Sequence, residues 1–263
     1  MNALIPVNNI QLYYEEHGEG NPLLLLHGLG SSAQDWQLQV EAFASRYRVI
    51  APDMRGHGRS GKPRGPYSVP LFAKDVAAFM RALNLPPAHV VGLSMGGMIA
   101  FQLAIDAPEL LKSLTIVNSA SELIPRTWAE KKDLFTRLLI ARFMGMKKMG
   151  EFLGDRLFPE AQQAELRRIF AGRWAQNNKR AYLASFHALT GWSVTARLGE
   201  IQCPTLIVAG AMDFFPLPYK QEYTAKIPRA ELVVVPNSRH ATPVDQPEAF
   251  NTILRAFLEQ QEK

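Results

Sequence analysis

The sequence predicts an α/β protein in which a mostly parallel sheet is flanked by helices and interrupted by a helical insertion. Two observations carry this. Over the first 118 residues, short β-rich apolar runs alternate with amphipathic helical stretches, and the alternation resumes after Cys203-Pro204. Between Ser119 and about residue 200 the strands stop and the spacing of apolar residues becomes helical. Alternating strands and helices argue for parallel strands joined by crossovers, and a purely helical stretch inside such a pattern reads as an insertion. With 263 residues and 47% hydrophobic content, the chain can bury a full core,.

Taken in order, the expected strands are 4–7, 10–15, 22–27, 47–52, 89–93 and 114–117, then 205–209 and 231–235, an eight-stranded sheet. Helices are expected over 32–45, 68–83 and 94–107, the last stopped by Pro108,. The insertion reads as helices over 127–143, 147–153, 159–174 and 179–189, separated by glycines and Pro159,. A final helix spans 247–259. The expected division is a core of residues 1–119 and 201–263 and a helical cap of 120–200.

Composition narrows the function. The apolar runs are too short to cross a bilayer, which takes about 20 residues, so no membrane partner is expected. The N-terminus has neither a basic nor an apolar leader region, and Glu15 and Glu16 come early; a cytoplasmic protein is the expectation,. Cys203 stands alone, which excludes an internal disulfide and any multi-cysteine metal site,. The net charge of +5 is uneven. Residues 120–200 hold 14 Lys and Arg against 8 Asp and Glu, while the remainder holds 15 against 16. Since those charges alternate with apolar residues at helical spacing, they read as solvated helix faces, and no nucleic-acid partner is expected. No metal motif and no dinucleotide fingerprint appears, so no cofactor and no metal are expected. The sequence leaves the oligomeric state open.

The most specific feature is Gly92-Leu93-Ser94-Met95-Gly96-Gly97, directly after the run His89-Val90-Val91. A strand that turns at once into a helix forces the central residue into strained backbone geometry and needs small neighbours. The Ser94 hydroxyl is thereby presented at the carboxyl end of the sheet, where open α/β sheets bind ligands. A serine hydroxyl needs a base, and only His187 and His240 follow it,. His187 falls on a helical stretch of the insertion; His240 follows the last strand, in a loop at the same sheet edge. His240 is the expected base. An acid must hold its imidazole, and Asp213, just after strand 205–209, fits; the strand before the insertion ends Val117-Asn118-Ser119, without a carboxylate,. The glycines of Leu26-His27-Gly28-Leu29-Gly30 let a backbone N–H face a substrate oxygen, so the oxyanion hole is assigned to the N–H groups of Leu29 and Met95. His27 is expected to fasten that loop.

Over nearly its whole length the chain resembles the α/β-hydrolase superfamily. The likeness rests on HGLG at 27–30, DMRGHGRS at 53–60, GLSMGG at 92–97, the Asp213 turn and RHATPVDQPEAF around His240. Within the superfamily it is most similar to the bacterial 3-oxoadipate enol-lactonase, aryl esterase and cofactor-free haloperoxidase branch. That resemblance implies an α/β-hydrolase fold with a helical cap between strands six and seven, and a structural role for Asp53 and Arg55. Asp245 departs from the glutamate usual in relatives. The implied function is a serine hydrolase cleaving a small-molecule carboxylic ester or lactone. A carbon-carbon bond hydrolase, an acyltransferase or perhydrolase would use the same residues, and a non-catalytic ligand receptor would keep only the fold. Serine at 94 argues against dehalogenases and epoxide hydrolases, which need a carboxylate there. Trp128, Phe143, Met144 and Phe214 are expected to line the substrate pocket, with Arg126 or Arg142 available for a substrate carboxylate.

Overall fold

Leu23, Leu24, Leu25 and Leu26 are all fully buried in the computed structural model, which describes residues 1–262. An unbroken apolar run is what a parallel strand needs when helices cover both its faces. It lies in β3 (Asn21–Leu26), between β4 (Tyr47–Pro52) and β5 (Ala88–Leu93), parallel to both. The sheet has eight strands in the order β1-β2-β4-β3-β5-β6-β7-β8. The others are β1 (Asn2–Val7), β2 (Ile10–His17), β6 (Leu111–Val117), β7 (Thr205–Gly210) and β8 (Ala230–Val235). Only β2 runs against the rest, antiparallel to β1 and β4. Its hairpin turns at Asn8 and Asn9, whose φ of 40° and 65° match the two left-handed positions of a tight hairpin turn,.

Helices α1 (Gln37–Phe43), α2 (Val69–Ala82) and α3 (Met95–Asp106) follow the first strands, and α2 starts on Ser68, whose side chain accepts the Leu71 N–H,. One face of the sheet is packed by Phe72, Phe79, Ile99 and Phe101 of α2 and α3. The other is packed by Trp36 and Phe43 together with Phe250 and Leu254 of the C-terminal helix Pro247–Gln260. The expected helix over 32–45 is divided, because Ala33–Trp36 winds as a tighter 3₁₀ turn before α1.

Between β6 and β7 lie α4 (Trp128–Leu139), α5 (Gly145–Leu157), α6 (Ala164–Ala175) and α7 (Lys179–Leu189). The helix expected over 127–143 ends earlier as an α-helix; Ile140–Met144 widens into a π turn before Gly145. Likewise α6 starts at Ala164, after Glu160 caps a short 3₁₀ turn over Ala161–Gln163. The insertion has its own apolar cluster, in which Met149, Leu153 and Leu157 meet Phe158, Phe170, Trp174, Tyr182 and Phe186. Among the described residues no helix is long and apolar enough to cross a membrane.

Two glycines of this insertion give opposite expectations. A Cβ on Gly150 in α5 would stand 2.9 Å from the Ala171 carbonyl oxygen of α6, whereas one on Gly172 meets nothing within 4 Å. Gly150→Ala should destabilise the protein by about 1–3 kcal/mol, while Gly172→Ala should stabilise it by roughly 0.5–1 kcal/mol through helix propensity. Thermal melts of the two variants beside the parent protein check both signs.

Candidate active site

Ser94 stands where β5 becomes α3, with φ 55° and ψ −115°, a strained conformation for a residue with a Cβ,. The turn is held on every side. The Ser94 N–H donates to the Val117 carbonyl at 3.0 Å, and the Ser94 carbonyl accepts from the Gly97 and Met98 N–H groups and from the Ser119 hydroxyl. Any side chain at Gly96 would fall 2.1 Å from the Leu26 carbonyl oxygen, and one at Gly92 would fall 2.3 Å from that of Gly96. Helix and strands therefore touch backbone to backbone, and the serine crowns the amino end of a helix whose dipole favours negative charge.

His240 follows β8 and turns its Nδ1–H to Asp213 Oδ1 at 2.5 Å. Asp213 follows β7. Its Oδ1 also accepts the Phe214 N–H at 2.7 Å, and its Oδ2 accepts from Lys220 Nζ at 2.5 Å. Burial alone would raise the Asp213 carboxyl, but the His240 ring and the Lys220 ammonium outweigh it and hold the group below its usual range,. Burial pushes Lys220 down against the pull of Asp213. Asn118, at the end of β6, ties the arrangement together. Its amide oxygen accepts from Gly210 N–H and Lys220 Nζ, and its amide nitrogen donates to the Arg239 and His240 carbonyls and to Thr242. No hydrogen bond joins Ser94 to His240 among the described residues; such contacts commonly tighten only around a substrate.

Ser94, His240, Gly28 and Leu29 line one cavity of about 580 Å³, closed above by α4, α5, α6 and α7. Gly28 backs onto the serine, where an added Cβ would sit 3.5 Å from that of Ser94. Among the described residues neither the Leu29 nor the Met95 N–H has a protein acceptor. His27 secures this loop by donating through Nδ1 to the Gly28 carbonyl at 2.7 Å and accepting the Met54 N–H on Nε2 at 2.9 Å. Phe214 stacks on the His240 ring at 4.6 Å between centroids, and the Arg137 and Arg156 guanidiniums lie 5.4 and 5.0 Å from the same phenyl ring. Arg156 pairs with Asp133, while Arg137 Nε lies 3.3 Å from Asp133 Oδ2 without hydrogen-bonding geometry and has no other partner. Among the described residues no group of three or more His, Cys, Asp and Glu side chains is placed to hold a metal ion.

A sequence model described as the alpha/beta hydrolase fold matches residues 21–247. The chain belongs to that family. It is 34% identical to a putative carbamate hydrolase RutD of Azorhizobium caulinodans, with 94% of each chain covered. It is 30% identical to an (E)-2-((N-methylformamido)methylene)succinate hydrolase of Acinetobacter baylyi, covering 96% of this chain and 95% of that one. Among solved structures, the enol-lactonase of Burkholderia xenovorans superimposes with a TM-score of 0.90 at 25% identity, over 98% of this chain and 100% of that one.

Of the residues expected in an alpha/beta hydrolase site, Ser94, His240, Leu29 and Phe214 line the cavity, and Asp213 lies directly behind His240. Three pocket expectations are corrected. Trp128, Phe143 and Met144 are 87%, 73% and 60% exposed and lie outside the lining: α4 turns its other face inward, through Ala129, Asp133, Leu134 and Arg137, and Phe143 and Met144 project to solvent from the π turn that follows it. Arg126 does line the cavity, but Arg142 belongs to a second hollow on the outer side of α4 and α7, of about 710 Å³, which holds none of the residues above. Asp53 and Arg55 are structural in position: Asp53 accepts the Ala33 and Arg59 N–H groups, and Arg55 pairs with Asp75, both buried. Sequence reasoning missed Asn118, Lys220, Arg137, Arg156 and Trp174. Asn118 carried a signal, as the polar residue closing a buried strand at the ligand edge. Lys220, in Leu217-Pro218-Tyr219-Lys220, looks like any surface lysine.

The loop histidine also sets an acid limit on stability. Burial drives the His27 pKa from 6.5 down to about 4, against the hydrogen bond to Gly28, so the unfolded chain takes up the proton first as pH falls. The folded state keeps its full advantage above pH 6.5 and loses on the order of 3 kcal/mol as pH drops toward about 4,. Melting temperature should fall across that window, and His27→Gln should flatten the fall while lowering stability at neutral pH.

Proposed function

We propose that the chain is a serine hydrolase that cleaves a small carboxylic ester or lactone through an acyl-enzyme on Ser94. The observation that carries the reading is the convergence, at one cavity, of a strained serine, an Asp213-held imidazole and the loop that carries the free Leu29 N–H, with the free Met95 N–H next to the serine in the chain. In this reading His240 takes the proton of the Ser94 hydroxyl as its oxygen attacks the carbonyl carbon. The N–H groups of Leu29 and Met95 receive the oxyanion, and the imidazolium, steadied by Asp213, then protonates the leaving group. Water, activated by the same imidazole, releases the acid and frees the serine.

The cavity roof favours a substrate that bears its own carboxylate. Arg137 and Arg156 share one carboxylate, Asp133, the other roof acids being engaged elsewhere, Glu122 by Arg126 and Glu130 by the Arg126 and Thr127 N–H groups, and the Arg137 Nε–H is unpartnered. A buried donor without an acceptor is costly, and a guanidinium is suited to bind a carboxylate. The name of the succinate hydrolase is in keeping with an acidic substrate. The carbamate hydrolase name keeps carbon-nitrogen cleavage by the same nucleophile within the test.

The test is a panel of p-nitrophenyl acetate, butyrate and palmitate, a γ-lactone, an enol-lactone, a carbamate and a vinylogous diketone, run on the parent protein and Ser94→Ala. An early burst of p-nitrophenol and a loss of about 10³-fold or more in Ser94→Ala are expected; cleavage confined to the diketone would refute the ester reading in favour of carbon-carbon hydrolysis. For half-esters of dicarboxylic acids, Arg137→Gln should raise KM about 10–100-fold, the loss of one charge-assisted hydrogen bond, with little change for neutral esters.

A further inference from the structure

A buried ammonium calls for an explanation, because an apolar residue of similar volume commonly serves stability as well or better. Lys220 lies in the helix α8 (Leu217–Thr224), and its side chain is only 1% exposed. That helix is already anchored by buried Tyr223, which packs edge-on against Phe101 at 5.7 Å. The lysine spends its charge at one place. Its Nζ reaches Asp213 Oδ2, on the side of the carboxylate away from His240, and Asn118 Oδ1 at 2.9 Å.

Resting on the reading of Ser94, Asp213 and His240 as a triad, we propose that Lys220 is its fourth, positioning member. Its ammonium locks the carboxylate with Oδ1 turned to His240 and offsets part of its charge, so that the imidazole stays neutral, and able to act as a base, in more acidic solution than a bare Asp–His pair allows.

The surroundings support the assignment. Among the described residues Asp213 is the one charged group hydrogen-bonded to the imidazole. From its own loop, the Asp245 carboxylate accepts the Arg239 backbone N–H at 2.7 Å and interacts with His240 through charge alone, while the Arg239 guanidinium turns to Glu160 of the insertion. From the insertion, Arg137 and Arg156 meet the Phe214 ring that covers the imidazole. Lys220 is thus placed to act on the imidazole through the carboxylate alone. The two effects of the ammonium oppose each other: a fixed carboxylate favours the productive orientation of the ring, while a compensated one stabilises imidazolium less. What is gained is pH range rather than maximal rate.

The test is an NMR titration of the His240 imidazole, assigned by its loss in His240→Asn, in the parent protein, Lys220→Met and Lys220→Arg. In Lys220→Met the midpoint should rise by about one pH unit, roughly a tenfold gain in proton affinity, and the acid limb of kcat/KM should move with it. Lys220→Arg, which keeps the charge, should stay near the parent midpoint. A folded Lys220→Met with an unmoved midpoint, whatever its melting temperature, would reduce Lys220 to packing and overturn the proposal. Should Lys220→Met not fold, the parent protein decides. Loss of the Lys220 proton should displace the His240 ring resonances in a second, alkaline step below the ordinary lysine value of 10.5; a single-step titration overturns the proposal. Because the titration uses no substrate, failure of the triad reading shows separately, as full turnover by Ser94→Ala.

Discussion

No side chain fits between the start of α3 and the ends of the strands around it. Gly92 and Gly96 face backbone oxygens at little more than 2 Å from where a Cβ would stand, and Gly97 faces the Ser119 side chain at 2.5 Å. This contact is what the rest of the site depends on. It brings α3 close enough for the Ser94 carbonyl to be held by Ser119, for the Met95 N–H to remain free at the helix start, and for Gly28 to pass over the serine. The strained φ at Ser94 is stable because the surrounding hydrogen bonds leave it no alternative.

The polar half of the site is built by a different means. Here the strands β6, β7 and β8 end at one edge, and their loops meet around Asn118 rather than around a close backbone contact. One amide links the end of β7, the histidine loop and the buried lysine. A buried polar network of this kind is rigid only when each member is satisfied, and Asn118 accepts at its amide oxygen and donates from its amide nitrogen. Ser238 and Asp245 complete the histidine loop from the far side, through the Ser238 hydroxyl and the Arg239 N–H.

The contrast explains what could be read in the sequence. Glycine spacing after an apolar run reports a backbone constraint directly, so Ser94 and its turn were legible from residues 89–97 alone. His240 and Asp213 were legible because each follows a strand at the ligand edge. Asn118 owes its role to partners about a hundred residues away in the chain, and Lys220, though only seven residues from Asp213, meets it through the way the intervening loop and helix fold back; no local pattern encodes either. In the insertion, helical periodicity found the helices but not which face of α4 turns inward. Trp128, the most conspicuous aromatic, faces solvent, while Asp133 and Arg137 face the cavity. Hydrophobicity misleads where a helix turns charged side chains toward a cavity on one side and meets water on the other. The helix ends shifted for a local reason, the π turn at Ile140–Met144.

That α4 buries none of its residues has an evolutionary consequence. The insertion's own apolar cluster is centred on its other helices, and the fold's two main cores lie elsewhere. Although Leu134 and Leu138 pack partly against that cluster, substitutions along α4 are less bound by folding than those in the buried walls, and its inner face, Asp133, Leu134 and Arg137, forms part of the cavity roof. Descendants of such a chain can reshape the roof of the cavity by changing a single helix, while the serine, the histidine and the sheet beneath them are inherited intact.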